Sequence, residues 1–226
     1  MNKRNRTQGF TLLELLIVIA IIAILSVILV LVLNPAETLK KSRDAQRISD
    51  LNTLKTALGL IVTASTSPNL SSGNTSCSGG GTTKIFYSNN PGTCATTPTL
   101  GSDSASTTLA SGWCSGTTTA SIDGNGWLPV NFGWLPGGSP ISNLPLDPTN
   151  TIAAPNTPVA TDLVYRYTCQ SAGGVKPSYV FELNAALESA AYTVDDDKRA
   201  KDGGDNTAMY EVGTDLRLLP PTGQAF

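Results

Sequence analysis

Apolar side chains are concentrated near the start of the chain, where residues 10–33 read FTLLELLIVIAIIAILSVILVLVL. Only Thr11, Glu14 and Ser26 interrupt this run of 24 residues. With a rise of about 1.5 Å per residue, a helix of that length is roughly 36 Å long and crosses a hydrocarbon core of about 30 Å with some tilt. The pattern therefore predicts a membrane-spanning helix over residues 10–33.

The nine residues before the run, MNKRNRTQG, contain three basic side chains and no acid. Basic residues flanking a membrane helix stay in the cytoplasm, so we expect a single-pass protein of the cytoplasmic membrane with its N-terminus inside. A secretory signal peptide fits less well, because the run is too long and no small-residue cleavage site follows it. An ordinary signal anchor remains an alternative, since it explains both the length and the charge.

A second helical pattern covers residues 34–62. Asn34, Pro35 and Glu37 form a helix-start signal, which predicts that the helix kinks or restarts at Pro35. Apolar residues then recur at mostly three- and four-residue spacing, which predicts one buried face; these are Leu39, Ala45, Ile48, Leu51, Leu54, Leu58 and Ile61. The charged residues of the segment are expected on a solvated outer face; these are Lys40, Lys41, Arg43, Asp44, Arg47, Asp50 and Lys55.

Runs rich in aromatic and β-branched residues predict strands at 163–169 and 178–183, with further strands at 84–87 and 209–212. The short Gly173-Gly174 link indicates an antiparallel pair. Together these patterns predict an α+β fold in which a long N-terminal helix, half membrane-spanning and half amphipathic, packs on a small antiparallel sheet with long loops. Residues 63–226 then form one extracytoplasmic domain.

Residues 63–126 contain 27 Ser or Thr among 64 residues and only three charges, so little apolar surface is available to fold them. This insert is either an exposed, O-glycosylated surface or a plain loop. In residues 126–150, Trp127 and Trp134 alternate with prolines, which predicts a packed irregular loop.

The chain has four cysteines and no CxxC pair, which favours two disulfides in an oxidising compartment. All three pairings stay open, and the candidates are Cys77, Cys94, Cys114 and Cys169. The chain has no histidine, which excludes Ser-His-Asp and Cys-His catalysis, and we expect no enzyme. A net charge of −2 without a basic face gives no indication of nucleic-acid binding.

Glu14 lies inside the membrane-spanning run, where a carboxylate costs on the order of 2.5–3.5 kcal/mol. The run contains no basic residue, so its partner is expected from elsewhere. Cutting the chain after Gly9 would free the amino group of Phe10 at nearly the same depth. That amine, from a neighbouring chain, would offset the charge of Glu14 and set the register between copies.

The stretch Gly9-Phe10-Thr11-Leu12-Leu13-Glu14, with its basic leader and apolar run, resembles the prepilin peptidase site of type IV pilins and type II secretion pseudopilins. The resemblance implies a leader of residues 1–9, cleavage between Gly9 and Phe10, and N-methylation of Phe10. It also implies that Glu14 meets the amine of an adjacent subunit. The implied partners are membrane lipid before assembly, the prepilin peptidase, an inner-membrane assembly platform, and copies of the chain or related pilins.

Two shorter features resemble major pseudopilins. The first is the Leu-Pro-x-Asp-Pro stretch at residues 144–148. The second is an acidic, glycine-containing region near the C-terminus, where the resemblance implies calcium. Clustered carboxylates suit Ca²⁺, but the spacing is not that of an EF-hand. A solvated acidic loop is the alternative, and the candidate ligands are Asp195, Asp197, Asp202 and Asp205.

These patterns give three functional hypotheses. The first is a structural subunit of a type IV pilus-like filament, which the Ser/Thr-rich insert favours. The second is a pseudopilin of a type II secretion system, which the stretch at 144–148 and the acidic region favour. The third is a membrane-anchored extracytoplasmic binding module or enzyme, for which the sequence contains no recognisable nucleophile context or phosphate-binding loop.

Overall fold

The computed structural model describes residues 9–71, 75–77, 83–94, 100–101, 113–171 and 179–224, apart from the side chains of Leu31 and Leu33. Parts of the Ser/Thr-rich insert, namely residues 72–74, 78–82, 95–99 and 102–112, and the Gly173-Gly174 link lie outside the described residues. The chain divides into two compact units, one ending at Lys40 and one beginning at Lys41.

Two helices occupy the N-terminal part of the chain. Helix α1 covers Leu12–Leu33, and helix α2 covers Pro35–Ala64. Asn34 separates them in the left-handed conformation (φ 37°), which Asn adopts more readily than most residues. Its side-chain oxygen accepts a hydrogen bond from the backbone N–H of Glu37 at 3.4 Å. Asn34 therefore ends one helix and caps the next, so of the two alternatives predicted at Pro35, a kink or a restart, the structure shows the restart.

The second unit contains a five-stranded sheet in the order β2-β1-β3-β4-β5. The strands are β1 (Ile85–Tyr87), β2 (Cys114–Gly116), β3 (Tyr165–Gln170), β4 (Val180–Ala185) and β5 (Tyr210–Gly213). All neighbours pair antiparallel except β1 and β2, which are parallel. The predicted strands and the α+β class are confirmed, and β2 is a strand that the sequence did not predict.

The core lies between one face of the sheet and the part of α2 that belongs to this unit. Leu51, Leu54, Leu58 and Ile61 are buried there, as the helical spacing predicts. Alternate strand residues supply the facing layer because successive side chains point to opposite sides of a sheet; they are Phe86, Tyr165, Tyr167, Phe181, Leu183, Ala185 and Val212.

The predicted solvated face of α2 is wrong at two positions. Asp44 and Arg47 are completely buried, whereas Ala45 is exposed. The apolar spacing breaks at this point of the helix because polar side chains from distant loops, rather than apolar ones, cover it. These contacts are described below.

Two disulfides close the loops of the second unit. Cys77 is bonded to Cys169 of β3, and Cys94 is bonded to Cys114 of β2. The structure thus selects one of the three pairings that the sequence left open. The described parts of the insert are tied to the sheet at both bonds.

Candidate assembly site

The first turn of α1 is closed by two side chains. Thr11 is the N-cap, and its hydroxyl accepts a hydrogen bond from the backbone N–H of Glu14 at 3.2 Å. The Glu14 carboxylate accepts in return from the backbone N–H of Thr11 at 2.8 Å and from its hydroxyl at 2.7 Å. This capping box satisfies backbone donors that would otherwise lack partners, and it places a negative charge at the positive end of the helix dipole.

A partner for the charge of Glu14 from outside its own chain stays a prediction, and the structure adds hydrogen-bond donors from within the chain. Thr11 supplies two donors, so the carboxylate is hydrogen-bonded before any neighbour arrives. The charge itself still has no cationic partner among the hydrogen bonds of the first turn.

The remaining surface of α1 is apolar. Every described side chain from Phe10 to Val30 is exposed, and exposure of its large apolar residues ranges from 46% at Val18 to 88% at Leu12. Contiguous apolar surface on this scale is rare on soluble monomers and marks a site of protein or membrane contact. Leu12–Val30 is the one helical segment in the described part of the chain that is long and apolar enough to cross a membrane. This helix and the N-terminal motif are consistent with membrane anchoring.

Arg47 fixes α2 within the second unit. Its guanidinium donates two hydrogen bonds to the Asp147 carboxylate, at 2.7 and 2.9 Å, and others to Asp44 and Glu188, both at 2.8 Å. Arg43 donates two hydrogen bonds of 2.7 Å to Glu188. Hydrogen bonds from Arg43 and then Arg47 lower the pKa of Glu188 to about 2. A buried charge is tolerated only when it is paired and hydrogen-bonded, and this network meets that requirement.

The same network joins three segments that are far apart in sequence. Asp147 belongs to the Leu-Pro-x-Asp-Pro stretch, and Glu188 follows β4. Asp44 accepts hydrogen bonds from the backbone N–H and the hydroxyl of Ser189, at 2.7 and 2.6 Å. The Leu-Pro-x-Asp-Pro stretch therefore has a definite structural task in this chain, which is to hold the helix by a bidentate ion pair.

A pair of acids is buried on the sheet face opposite α2. Glu182 of β4 accepts hydrogen bonds from the backbone N–H groups of Leu218 and Leu219, at 2.8 and 2.9 Å. Glu211 of β5 accepts from the backbone N–H of Asn206 at 3.0 Å. Burial, and then the charge of Glu182, raise the pKa of Glu211 far above that of an ordinary glutamate. The two carboxyl groups therefore share a proton at neutral pH.

The four aspartates predicted to bind calcium have separate surroundings. Asp195 is exposed, and the Asp197 carboxylate is paired with Arg199 at 2.9 Å. Asp202 accepts from the backbone N–H groups of Gly204 and Glu211, at 2.9 and 2.8 Å. The backbone carbonyl of Asp205 accepts a hydrogen bond from the hydroxyl of Thr222 at 3.2 Å. In the ranges described, no group of three or more His, Cys, Asp or Glu side chains could hold a metal ion.

Calcium binding thus stays a prediction from the sequence, and the proposed function below does not use it. Gly204 sits where a side chain would overlap the Glu211 carboxylate. The glycine turn of this acidic region therefore has a packing reason that is independent of a metal.

Comparison with known protein families identifies the N-terminal segment. Residues 4–30 match the prokaryotic N-terminal methylation motif, which is typical of type IV pilins and pseudopilins. The chain carries the N-terminal signature of that class of proteins, whose members are processed by a prepilin peptidase and assemble with related pilins. No curated protein and no solved structure matches the chain.

Sequence reasoning missed two sets of functional residues. The sequence offered no local signal that Arg47 would meet Asp147, because 100 residues separate them. The acid pair of Glu182 and Glu211 looked like ordinary strand residues. Its one available signal was a glutamate within each apolar strand run.

Proposed function

We propose that this protein is a structural subunit of a type IV pilus-like filament. The observation that carries the proposal is helix α1, whose apolar surface is exposed on all sides and begins at the methylation motif. Burial of a Leu or Ile side chain is favoured by roughly 1.5–3 kcal/mol relative to its exposure to water. Packing α1 helices side by side supplies such burial without lipid.

The chain is first inserted in the cytoplasmic membrane with the basic leader inside. Gly9 and Phe10 are exposed and precede the first helical turn, so the peptide bond between them is accessible to a peptidase at the membrane surface. Cleavage there removes residues 1–9 and frees the amino group of Phe10, which is then N-methylated. The disulfides of the second unit fit an extracytoplasmic, oxidising compartment.

Glu14 has two successive partners in this scheme. In the membrane-stored subunit the donors of Thr11 lower the free-energy cost of the carboxylate. During assembly the amine of Phe10 from an adjacent copy meets Glu14 and neutralises its charge. When formed between chains, this pairing selects the register in which the apolar helices pack.

The assembly function is tested by comparing Glu14→Ala with Thr11→Val. Both variants lose the capping box, but only Glu14→Ala loses the carboxylate. We expect both to insert in the membrane, Thr11→Val to give filaments at half the wild-type yield or more, and Glu14→Ala to give less than about a tenth. Filament mass after shearing is the readout, with total membrane-bound subunit as the control. Equal yields from the two variants would refute the inter-chain pairing.

The proposed processing is tested by intact-mass spectrometry of assembled material. We expect the subunit to begin at N-methylated Phe10. Recovery of filaments that retain Met1 would contradict the proposal.

A pseudopilin of a type II secretion system is the second candidate. Its support is the Leu-Pro-x-Asp-Pro stretch, whose Asp147 is buried against Arg47. The identity of the neighbouring genes separates the two candidates, because a pseudopilin gene is expected among secretion genes.

A further inference from the structure

One aromatic side chain of the second unit is unlike the others. Trp134 is 83% exposed, whereas every other aromatic residue described between 41 and 224 is buried or half-buried. The neighbouring Trp127 is buried in the core, as a packed loop predicts. An exposed indole loses the free energy of burial, so its position on the surface calls for a contact with something outside the chain.

Trp134 is held in place by the residues around it. It ends a 3₁₀ turn of residues Phe132–Trp134, and Phe132 is fully buried beneath it. The side-chain oxygen of Asn131 accepts from the backbone N–H of Gly133 at 2.9 Å, and the backbone N–H of Phe132 donates to the carbonyl of Ile122 at 2.9 Å. The backbone that carries the exposed ring is therefore anchored to the core, which lowers the entropy lost on binding.

Two depressions adjoin the indole, and both are lined by Trp134, Asn131 and Asn69. The first has a volume of about 360 Å³ and lies at the C-terminal end of α2. Besides Trp134, its apolar lining includes Ile61, Ala64, Pro68, Leu135 and Pro136. The second, of about 310 Å³, is more open and is lined further by Asp123, Asn125 and Pro129. Each is at the lower end of the range for small-ligand sites, about 300–1,000 Å³.

The lining has a definite hydrogen-bonding character. Among the described residues, its polar groups are side-chain amides, serine hydroxyls and one carboxylate, without a lysine or arginine. The Asp123 carboxylate is held by the hydroxyl of Ser121 at 2.5 Å and by the backbone N–H of Asn125 at 3.0 Å. These hydrogen bonds, that of Ser121 foremost, lower the pKa of Asp123 to about 2, so it is an ionised acceptor near neutral pH.

We propose that Trp134 and the two depressions beside it form a binding site for a neutral saccharide. A pyranose ring presents an apolar C–H face that stacks on an indole, and hydroxyl groups at its edge that pair with amides and carboxylates. Trp134 supplies the stacking surface, and Asn125, Asn131 and Asp123 supply the edge contacts. The described lining residues include no cation, which disfavours a phosphate or an acidic sugar. Two depressions on one ring fit two consecutive sugar units better than one.

This inference goes beyond the proposed filament function and does not depend on assembly. The test uses the full-length chain in a detergent without a sugar head group, such as lauryl dimethylamine oxide. The probes are chitotriose, cellotriose and maltotriose, each titrated to about 10 mM. Trp113 and Trp127 are buried, so a shift in tryptophan emission reports on Trp134, and saturation-transfer NMR identifies the sugar protons in contact.

We expect at least one of the three sugars to bind, Trp134→Ala to weaken it at least tenfold, and Asn125→Ala to weaken it about three- to fivefold. Val194→Ala is the matched control, because Val194 is another apolar residue of the same unit that is 74% exposed. It is expected to leave binding unchanged. Unaltered near-ultraviolet circular dichroism from the buried tryptophans checks that the variants fold.

Two results would overturn the saccharide site. One is the lack of binding by all three sugars. The other is binding that survives Trp134→Ala within a factor of two. If Trp134→Ala instead abolishes filaments while no sugar binds the wild type, the face is a contact between subunits, and the saccharide site is rejected while the filament function stands.

Discussion

Helix α1 and the unit that begins at Lys41 differ in where their contacts come from. In α1 the described hydrogen bonds of the side chains join residues three or four positions apart, as between Thr11 and Glu14, or between Ser26 and Ile22. In the second unit the decisive contacts cross long stretches of chain, as between Arg47 and Asp147 or Cys77 and Cys169. The second unit buries the apolar residues of its core by its own contacts, and α1 buries none of the apolar residues described.

The comparison explains why the two parts tolerate change differently. The second unit can be stable by its own contacts, so substitutions there should alter its free energy of unfolding. Helix α1 reaches a low free energy only with lipid or other copies around it, so substitutions there should alter assembly. Glu14→Ala is accordingly expected to reduce filament yield and to leave the urea unfolding midpoint of the second unit unchanged.

The largest decrease in the free energy of unfolding is expected when the Cys77–Cys169 disulfide is removed. Cys77–Cys169 spans 92 residues and Cys94–Cys114 spans 20. In the chain-entropy account, loss of the disulfide that closes the longer loop lowers the free energy of unfolding by about 4–5 kcal/mol, and loss of the one that closes the shorter loop lowers it by about 3 kcal/mol. Urea unfolding of the full-length chain in detergent, followed by tryptophan fluorescence, compares Cys77→Ser/Cys169→Ser with Cys94→Ser/Cys114→Ser. A larger loss from the shorter loop would show that strain or residual structure outweighs loop entropy.

The next largest decrease in the free energy of unfolding is expected from substitution of Arg47. Arg47→Met leaves Asp44 and Asp147 buried without their cation, which typically costs about 3–5 kcal/mol. Arg43→Met is the matched control, because Arg43 is 35% exposed and pairs with Glu188 at the edge of the same network. Its loss is expected to be about 1 kcal/mol or less. If urea unfolding gave equal losses of unfolding free energy for the two variants, burial would not determine how much each arginine of the network contributes to stability.

The two helices also show how far sequence reasoning extends. The apolar run and the break at Asn34 depend on neighbours in sequence, and both were predictable. The strands at Tyr165–Gln170 and Val180–Ala185 were predictable from their aromatic and β-branched residues. Strand Cys114–Gly116 was not, because its residues CSG carry no apolar pattern and it is defined by pairing with β1.

The sequence predictions that the structure contradicts share a common physical origin. Asp44 and Arg47 were assigned to solvent because charged side chains usually remain there. Their burial depends on Asp147, Glu188 and Ser189, which no periodicity within the helix can indicate. The cysteine pairing was open for the same reason, since it is decided by the packing of distant loops. Trp134 was expected within a packed loop, but the 3₁₀ turn that buries Phe132 directs it outward.

The smallest expected effect concerns the two acids on the sheet face opposite α2, and it is a dependence of stability on pH. Burial and the neighbouring charge of Glu182 raise the pKa of Glu211, and burial raises the pKa of Glu182 to about 7. Because both values lie above those of the unfolded chain, the folded state binds more protons than the unfolded state above about pH 4.5. The stability contributed by this pair of acids is therefore fully present below that pH and falls as the pH rises toward and through neutrality.

Glu211→Gln should remove most of this fall. A glutamine amide donates to Glu182 as a protonated carboxyl does, and its oxygen can still accept from the backbone N–H of Asn206. We expect the variant to be more stable than the wild type at pH 8 by at least about 1 kcal/mol, the equivalent of roughly one unit of pKa, and nearly equal to it at pH 5. Thermal unfolding between pH 5 and 9 is the measurement, with the exposed Asp195→Asn as control. A wild type whose stability rises from pH 5 to 8, with Glu211→Gln following the same curve, would mean that the two acids do not share a proton.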